Sequence, residues 1–227
     1  MFLILARHGN TFEAHEEPVW VGAKQDLPLT NTGREQALTL AKACQDNKIV
    51  PECIFTGPLL RTREAAQLVA ETVSDFCGEI FVVEELREID FGEWGGKTRE
   101  SILSLFGEED LLRWERDAQF PTTACWGESE KAHRENWHAF LKRVSDEAQD
   151  SSVKLAITSN GKLRLLLKEL FSLPLAESET TREFSSKVST GNTCCIEVNP
   201  TRTKIHYWNE NPVEGLKQLA RLLSQAR

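Results

Sequence analysis

The chain has 227 residues, of which 40% are hydrophobic and 27% are charged, with 13 glycines and 8 prolines. This length and composition indicate one large globular domain and exclude collagen-like, low-complexity and wholly disordered chains. The formal net charge is -8, from 27 Lys and Arg against 35 Asp and Glu. Because so acidic a chain repels a phosphate backbone, we expect no nucleic-acid partner, and an anionic ligand must be small and bound in a local pocket.

The pattern of apolar residues predicts strands that alternate with helices. Strands are predicted at apolar runs bounded by turn residues, at 2–6, 53–56, 79–83 and 153–158. Helices are predicted where apolar residues recur at helical spacing, at 34–43, 61–74, 162–171 and 214–225. The segments 194–198 and 203–208 flank a turn and predict an antiparallel edge hairpin. We therefore expect an α/β fold with a mainly parallel central sheet.

Residues 97–148 differ from the rest of the chain, because helix-like segments follow one another there without a predicted strand. These segments are 99–105, 111–117 and 130–148, and Ser129 is a candidate N-cap for the last of them. We interpret 97–148 as a helical cap inserted over one side of the sheet, within a single domain that spans 1–227. The polar stretch 177–189 is predicted to be a loop.

The cysteines and the hydropathy pattern predict a soluble cytoplasmic protein. The six cysteines have neither C-x-x-C metal spacing nor the density of a disulfide scaffold, which favours reduced thiols. Cys194 and Cys195 are adjacent in a predicted strand, so their side chains should point to opposite faces of the sheet. No stretch approaches the roughly 20 apolar residues of a membrane span, and we expect no membrane partner. No metal-ligand cluster is visible, and no metal or other cofactor is expected.

Polar and basic residues follow the ends of three predicted strands. The run Arg7–Thr11 (RHGNT) follows the first strand, 57–62 (GPLLRT) the second and 158–161 (TSNG) the fourth. In an open α/β sheet, ligands bind beyond the carboxyl ends of the strands. We therefore expect Arg7, His8 and Arg61 to meet at one edge of the sheet.

These residue types predict that the edge binds a phosphoryl group. The guanidinium groups of Arg7 and Arg61 offer a fixed fork of donors that matches phosphate oxygens, and Asn10 and Thr11 could add neutral donors. Nearby cations favour the neutral form of His8, which could act as a proton carrier or as the nucleophile. The alternatives are a structural histidine and a surface charge at Arg61, but their shared position at one edge favours a site.

The motifs that hold these residues resemble the histidine phosphatase superfamily, which is also called phosphoglycerate-mutase-like. They are R-H-G-(polar)-T at 7–11, D-x-P-L-T-x-x-G at 26–33, S-P-L-x-R-(A/T) at 57–62 with Gly in place of Ser, and L-x-E-x-x-x-G-x-W at 86–94. The resemblance covers most of the chain. It implies a phosphoglycerate-mutase-like fold, which is a three-layer sandwich.

The resemblance also implies a reaction. A phosphoryl group would pass to His8, and water would later hydrolyse the phosphohistidine. Arg7 and Arg61 would bind the equatorial oxygens, where charge must be stabilised during transfer. The substrate would be a small phosphorylated molecule.

A carboxylic acid in the 86–94 motif would protonate the leaving alkoxide. The resemblance assigns this role to Glu88, and Asp90 and Glu93 are the less favoured alternatives. A general acid must carry a proton at the working pH. The alternative interpretation of each of the three residues is a solvated loop carboxylate without a catalytic role.

One motif departs from the family pattern. The family's second catalytic histidine lies in an S-H-G-G-x-x-R segment, which corresponds here to Thr158–Arg164 (TSNGKLR), with Ser159 in place of the histidine. A serine hydroxyl is shorter and neutral, and losing one oxyanion donor costs about 3 kcal/mol. Ser159 and Asn160 remain candidate phosphate ligands, and Lys162 or the first amides of the following helix could compensate.

The favoured function is therefore a phosphatase with a weakened phosphate pocket. The alternative is a catalytically silent member that binds a phosphorylated ligand or a protein partner. A phosphoglycerate mutase is less favoured, because Asn10–Phe12 replaces the E-S-x part of the longer R-H-G-E-S-x-W-N signature. The oligomeric state stays open, since the edge hairpin could pair with a second subunit in a homodimer or lie exposed.

Substrate specificity is expected to come from 97–148 and from the loop at 177–190. Candidate contacts there are Trp114, Trp126, Arg113 and Arg116. The histidines of the same region, His133 and His138, are interpreted as partly exposed helix residues rather than as catalytic groups.

Overall fold

The computed structural model describes residues 1–146, 152–172, 184–199 and 202–225. The strands are β1 (Phe2–Arg7), β2 (Ile54–Thr56), β3 (Ile80–Val82), β4 (Val153–Thr158), β5 (Thr193–Asn199) and β6 (Arg202–Glu210). The helices are α1 (Asn31–Asp46), α2 (Leu60–Thr72), α3 (Arg99–Phe106), α4 (Glu108–Asp117), α5 (Glu130–Asp146), α6 (Asn160–Ser172) and α7 (Pro212–Gln225). Within the described ranges, no helix has the length and apolar character that crossing a membrane requires.

The six strands form one mixed sheet in the order β3-β2-β4-β1-β5-β6. β1 and β2 both pair with β4 in parallel, and β3 pairs with β2 in parallel. β5 is antiparallel to β1, and β6 is antiparallel to β5. The predicted mainly parallel sheet with an antiparallel edge hairpin is therefore confirmed. The register places Arg7 opposite Thr158, so the carboxyl ends of β1 and β4 lie side by side.

Helices cover both faces of the sheet, which confirms the three-layer sandwich. Leu3 and Leu5 of β1 pack into the apolar cluster that contains the buried residues of α5 and α6, whereas Ile4 packs into the cluster of α1, α2 and α7. Strands buried on both faces are expected to have continuous apolar sequences, as β1 and β4 do. Cys194 and Cys195 belong to opposite clusters, as predicted for adjacent strand residues.

The region that was predicted to be a helical insertion contains α3, α4 and α5. The N–H of Ala132 donates to the Ser129 hydroxyl at 3.1 Å, which confirms Ser129 as the N-cap of α5. The last residues of the predicted helix, 147–148, lie outside the described residues, and so does 177–183 of the predicted loop. Trp114 of α4 packs edge-to-face on Trp126, with ring centroids 4.8 Å apart. Phe91, which precedes this region, packs on both rings, with centroids 6.0 and 5.0 Å away, so aromatic packing anchors the region to the rest of the protein.

The prediction that His133 is partly exposed is wrong. Its exposed fraction is 1%, and it shares the buried face of α5 with Trp137, Phe140 and Val144. These residues follow one another at the three- and four-residue spacing of a helix face that packs against the core. His138 lies on the opposite side of α5 and is exposed.

Candidate active site

A cleft of about 1140 Å³ opens where the sequence predicts the site, at the carboxyl ends of β1 and β4. The predicted site residues that line it are Arg7, His8, Asn10, Thr11, Arg61, Glu88 and Asn160. They come from separate stretches of the chain, and the parallel strand order brings them together. Ser159 is instead fully buried.

His8 is a buried, neutral imidazole at the end of β1. Its backbone N–H donates to the Thr158 carbonyl at 3.0 Å, which fixes its position beside β4. Its Nδ1 donates to the Gly9 carbonyl at 2.7 Å, and its Nε2 accepts a hydrogen bond from Arg61 Nε at 3.2 Å. Burial, together with the charges of Arg61 and Arg7, holds the pKa of His8 well below its usual value of 6.5. The ring is therefore uncharged at neutral pH, with its lone pair on Nε2.

Gly9 is required by packing against a neighbouring loop. A Cβ at this position would lie 2.2 Å from the Gly33 carbonyl oxygen at the start of α1. The contact between these glycines holds the segment after β1 against α1. This close packing of two backbone segments explains why no larger residue fits between His8 and Asn10.

Arg61 lies on the first turn of α2 and is 2% exposed, which excludes the surface-charge interpretation. Its guanidinium donates to the Gln25 and Gly22 carbonyls, both at 2.9 Å, in addition to His8. Burial lowers the pKa of Arg61, and the nearby Glu88 opposes this effect. Two loop carbonyls therefore orient the cation against the imidazole.

Arg7 and Arg164 add two further cations to the cleft. Arg7 donates to the Val188 carbonyl at 2.6 Å, and Arg164 donates to the Glu115 carbonyl at 2.5 Å. Burial lowers the pKa of each to about 10, so both remain charged at neutral pH. Both side chains line the cleft, and the buried Nε of each arginine has no partner among the described residues. Arg164 was not predicted as a phosphate ligand, although it ends the TSNGKLR segment.

Glu88 is buried against the N-terminus of α6. One carboxylate oxygen accepts the Ile89 N–H at 2.9 Å, and the other accepts the Gly161 N–H at 3.2 Å. A Cβ on Gly161 would lie 2.4 Å from the Glu88 carboxylate, so only glycine permits this approach. The carboxyl group is therefore held on the same cleft as His8.

The alternative acids, Asp90 and Glu93, are engaged elsewhere. Asp90 forms an ion pair with Lys24 at 2.9 Å, and Glu93 accepts the Cys125 N–H at 2.8 Å. Neither is among the residues that line the cleft. The geometry favours Glu88 as the acid.

The segment between β4 and α6 holds the other predicted ligands. Asn160 uses its side-chain oxygen to accept the Val188 N–H at 2.9 Å, which leaves its amide NH₂ for a ligand. The Ser159 hydroxyl is buried and has no partner among the described residues. Lys162 is also buried, but its Nζ lies 3.4 Å from His133 Nδ1 and outside the set of residues that line the cleft. Lys162 therefore does not supply a donor in place of Ser159.

Among the predicted specificity residues, only Trp114 lines the cleft. Trp126 packs within the aromatic cluster beside Phe91. Arg113 and Arg116 form surface ion pairs with neighbouring acidic residues of α4. The lining of the cleft therefore does not support Trp126, Arg113 and Arg116 as substrate contacts.

A sequence profile of the histidine phosphatase superfamily (branch 1) matches residues 3–211. The chain belongs to this superfamily. A 2,3-bisphosphoglycerate-dependent phosphoglycerate mutase from Parvibaculum lavamentivorans is 27% identical over 169 residues, which is 74% of this chain and 79% of that protein. The superfamily members that are similar to this chain thus include mutases.

Solved structures of phosphatases have a similar fold. The α-ribazole phosphatase from Shigella flexneri is 26% identical, with a TM-score of 0.68 over 93% of this chain and 97% of that one. The mycobacterial glucosyl-3-phosphoglycerate phosphatase in complex with VO3 has a TM-score of 0.72 over 92% of this chain and 98% of that one. At 19% identity, the second likeness supports the fold alone. The family and its neighbours support a phosphoryl-transfer enzyme.

Proposed function

We propose that the protein hydrolyses small phosphomonoesters through a phosphohistidine on His8. The observation that carries this proposal is the neutral imidazole of His8, with its Nε2 lone pair beside Arg61 on the floor of the cleft. A neutral ring nitrogen can attack phosphorus, and the buried cations around it can stabilise the phosphoryl oxygens. Glu88 lies on the same cleft as a candidate proton donor.

In the first step, His8 Nε2 forms a bond to phosphorus while the bond to the leaving oxygen breaks. The electron pair of that bond stays on the leaving oxygen, which takes a proton from Glu88. Arg61 must exchange its 3.2 Å hydrogen bond to Nε2 for one to a phosphoryl oxygen, because the lone pair is needed for attack. Arg7 and Arg164 line the same cleft, and their charges can stabilise the same oxygens.

In the second step, water attacks the phosphorus of the phosphohistidine. Its proton passes to the Glu88 carboxylate, and the electron pair of the nitrogen–phosphorus bond returns to His8 Nε2. Both groups are then ready for another cycle. The Gly161 N–H that binds Glu88 keeps the carboxylate in position for both proton transfers.

The segment at Ser159 is expected to make this enzyme slow. In the proposed alignment, a serine hydroxyl replaces the second histidine, and the loss of one oxyanion donor typically lowers the rate roughly 100-fold to 1,000-fold. The same substitution favours a second candidate function, a member that binds a phosphorylated ligand without turnover. A mutase is less favoured, because the 7–12 sequence departs from the mutase signature.

The first test is hydrolysis of p-nitrophenyl phosphate by the wild type and by His8→Ala. We expect wild-type turnover, and its loss to background in the variant. The exposed His138, on the outer side of α5, provides the control His138→Ala, which should retain wild-type turnover. Mass spectrometry after rapid quenching should find an acid-labile phosphate on His8. Equal background in all three proteins, with retained phosphate binding, would instead establish the binding function.

A further inference from the structure

The floor and the mouth of the cleft carry opposite charges. Arg7, Arg61 and Arg164 surround the floor. At the mouth, the lining includes carboxylates of a segment after β1 and of the first turn of α3, which are Glu13, Glu16, Glu17 and Glu100. All of these acidic residues are exposed.

Cations at the mouth do not balance these carboxylates. Arg99 is neutralised by Glu115, whose carboxylate accepts two hydrogen bonds from its guanidinium at 3.0 and 3.1 Å. Lys187 is the other basic residue that lines the mouth within the described ranges. Within the same ranges, none of the four carboxylates at positions 13, 16, 17 and 100 lies within 4.0 Å of a basic side chain.

The wall between floor and mouth is aromatic. Phe12, Trp20, Phe91 and Trp114 line the cleft there. The faces of aromatic rings attract cations and pack against neutral rings or alkyl groups. A leaving group that extends from the floor toward the mouth therefore passes aromatic side chains and then carboxylates.

We propose that this mouth selects phosphomonoesters whose leaving group carries no negative charge, and that it favours leaving groups that carry a positive charge. The proposal rests on the proposed phosphatase function, and it adds the class of substrate. A single phosphate is bound by the cations of the floor. A second phosphate or a carboxylate on the substrate would lie among Glu13, Glu16, Glu17 and Glu100, where like charges repel it.

The expected size of this selection follows from Coulomb's law. One exposed charge pair about 8 Å apart in water alters binding roughly twofold. Three carboxylates acting together should therefore alter the binding of either charged leaving group about eightfold. Because the two leaving groups respond in opposite directions, the preference between them should change by about 60-fold at low salt. Salt screens exposed charges, so the preference should decrease as ionic strength rises.

The test compares O-phosphoethanolamine with phosphoglycolate, which are small alkyl phosphates with opposite charges at the far end. Their kcat/KM, or their inhibition constants against p-nitrophenyl phosphate, are measured for the wild type and for the triple variant Glu13→Gln, Glu16→Gln and Glu17→Gln. We expect the wild type to prefer O-phosphoethanolamine. In the triple variant this preference should fall about 60-fold at low salt.

The control has the same change in net charge away from the cleft. It carries Glu35→Gln, Glu52→Gln and Glu79→Gln, which are exposed positions that do not line the cleft. It should keep the wild-type preference and hydrolyse p-nitrophenyl phosphate within about twofold of the wild-type rate. The triple variant of 13, 16 and 17 should retain His8-dependent hydrolysis of p-nitrophenyl phosphate, and an effect common to all phosphate esters cancels in the ratio of the two alkyl phosphates.

Two results would contradict the proposals, and they differ. An unchanged preference in the triple variant of 13, 16 and 17, with His8-dependent hydrolysis of p-nitrophenyl phosphate intact, overturns the charge selection alone. The absence of His8-dependent hydrolysis of every phosphate ester overturns the phosphatase function and, with it, this selection.

Discussion

Two corners of the same cleft differ in how their polar groups are bonded. The β1 corner consists of Arg7, His8 and Arg61, whereas the β4 corner consists of Ser159 and Asn160, with Lys162 behind them. In the β1 corner, backbone carbonyls at residues 9, 22, 25 and 188 accept hydrogen bonds from the imidazole and both guanidinium groups. In the β4 corner, the Ser159 hydroxyl has no partner among the described residues, and Lys162 contacts His133.

The comparison indicates that the β1 corner holds its charged groups in fixed orientations before a phosphoryl group binds, whereas the β4 corner does not. Cations that are already oriented need no reorganisation when charge moves to the phosphoryl oxygens, which makes them effective in catalysis. The β4 corner contributes the Gly161 N–H to Glu88 and a neutral amide at Asn160. We therefore expect changes in the β1 corner to affect turnover far more than changes in the β4 corner.

The largest effect is expected for Arg61→Met. Because Arg61 is the cation in contact with His8, its loss should lower kcat/KM for p-nitrophenyl phosphate about 1,000-fold. The pKa of His8 should rise toward its usual value, although burial, the larger cause of its depression, remains. Steady-state kinetics and NMR titration of the imidazole measure the two effects.

Arg63 provides the control for this prediction, because it is exposed on the same helix. Arg63→Met should leave kcat/KM within about twofold of the wild type. Arg61→Met could fold poorly, because Arg61 also donates to two loop carbonyls. In that case Arg61→Lys provides the test, because it retains the positive charge and loses the forked donors of the guanidinium group. A fully active Arg61→Lys variant would contradict the inference that turnover depends on the oriented guanidinium of Arg61.

A smaller effect, on stability, is expected for Lys162→Met. Burial lowers the pKa of Lys162 to about 8 from 10.5, although Glu88, Glu128 and Glu85 oppose this shift. Below pH 8 the lysine is charged in both the folded and the unfolded state, so the cost of burying the charge is fully present. Between about pH 8 and pH 10.5 the unfolded state binds more protons, and stability should rise with pH.

Lys162→Met removes this cost, so it should stabilise the protein at pH 7 by about 2 kcal/mol and abolish the rise above pH 8. Urea denaturation at several pH values measures the stabilisation at pH 7 and the rise in stability above pH 8. Lys168→Met, on the same helix, replaces a half-buried lysine that pairs with Glu130 at 2.6 Å, and it should leave the rise unchanged. A marked loss of stability at pH 7 in Lys162→Met would mean that the buried charge supports the β4 corner.

The sequence predicts the β1 corner well for a physical reason. Strands buried on both faces produce apolar runs that end abruptly, as β1 does before His8. Residues directly after such runs in parallel strands must lie at one edge of the sheet. Arg7, His8 and Arg61 could thus be placed together without knowing any side-chain contact.

The β4 corner could be predicted less well. Where every face of a helix is buried, the spacing of its apolar residues does not indicate which face contacts which neighbour. Residues 161–167 of α6 are all buried, so the sequence does not indicate which face meets the cleft. Arg164 faces the cleft and Lys162 faces α5, although the two are separated by one residue. The burial of His133 was missed for a related reason, since its partner Lys162 lies 29 residues away in the sequence.

The smallest effect is expected for Ser159→Ala. The hydroxyl is buried without a partner among the described residues, so its removal should leave the stability of the free protein unchanged or raise it by about 1 kcal/mol. If the hydroxyl donates to a phosphoryl oxygen, the same change should lower turnover and weaken vanadate inhibition about tenfold. Ser159→His should instead raise turnover and strengthen vanadate inhibition, because it adds a longer donor that can carry charge.

Ser152 makes this test specific to the cleft. Its hydroxyl is also buried and unpartnered among the described residues, but it precedes β4, at the end of the strand opposite to Ser159. Ser152→Ala should therefore match the stability change of Ser159→Ala and retain full turnover. Equal turnover in the two alanine variants would remove Ser159 from the phosphate ligands, and binding at the β4 corner would then depend on Asn160.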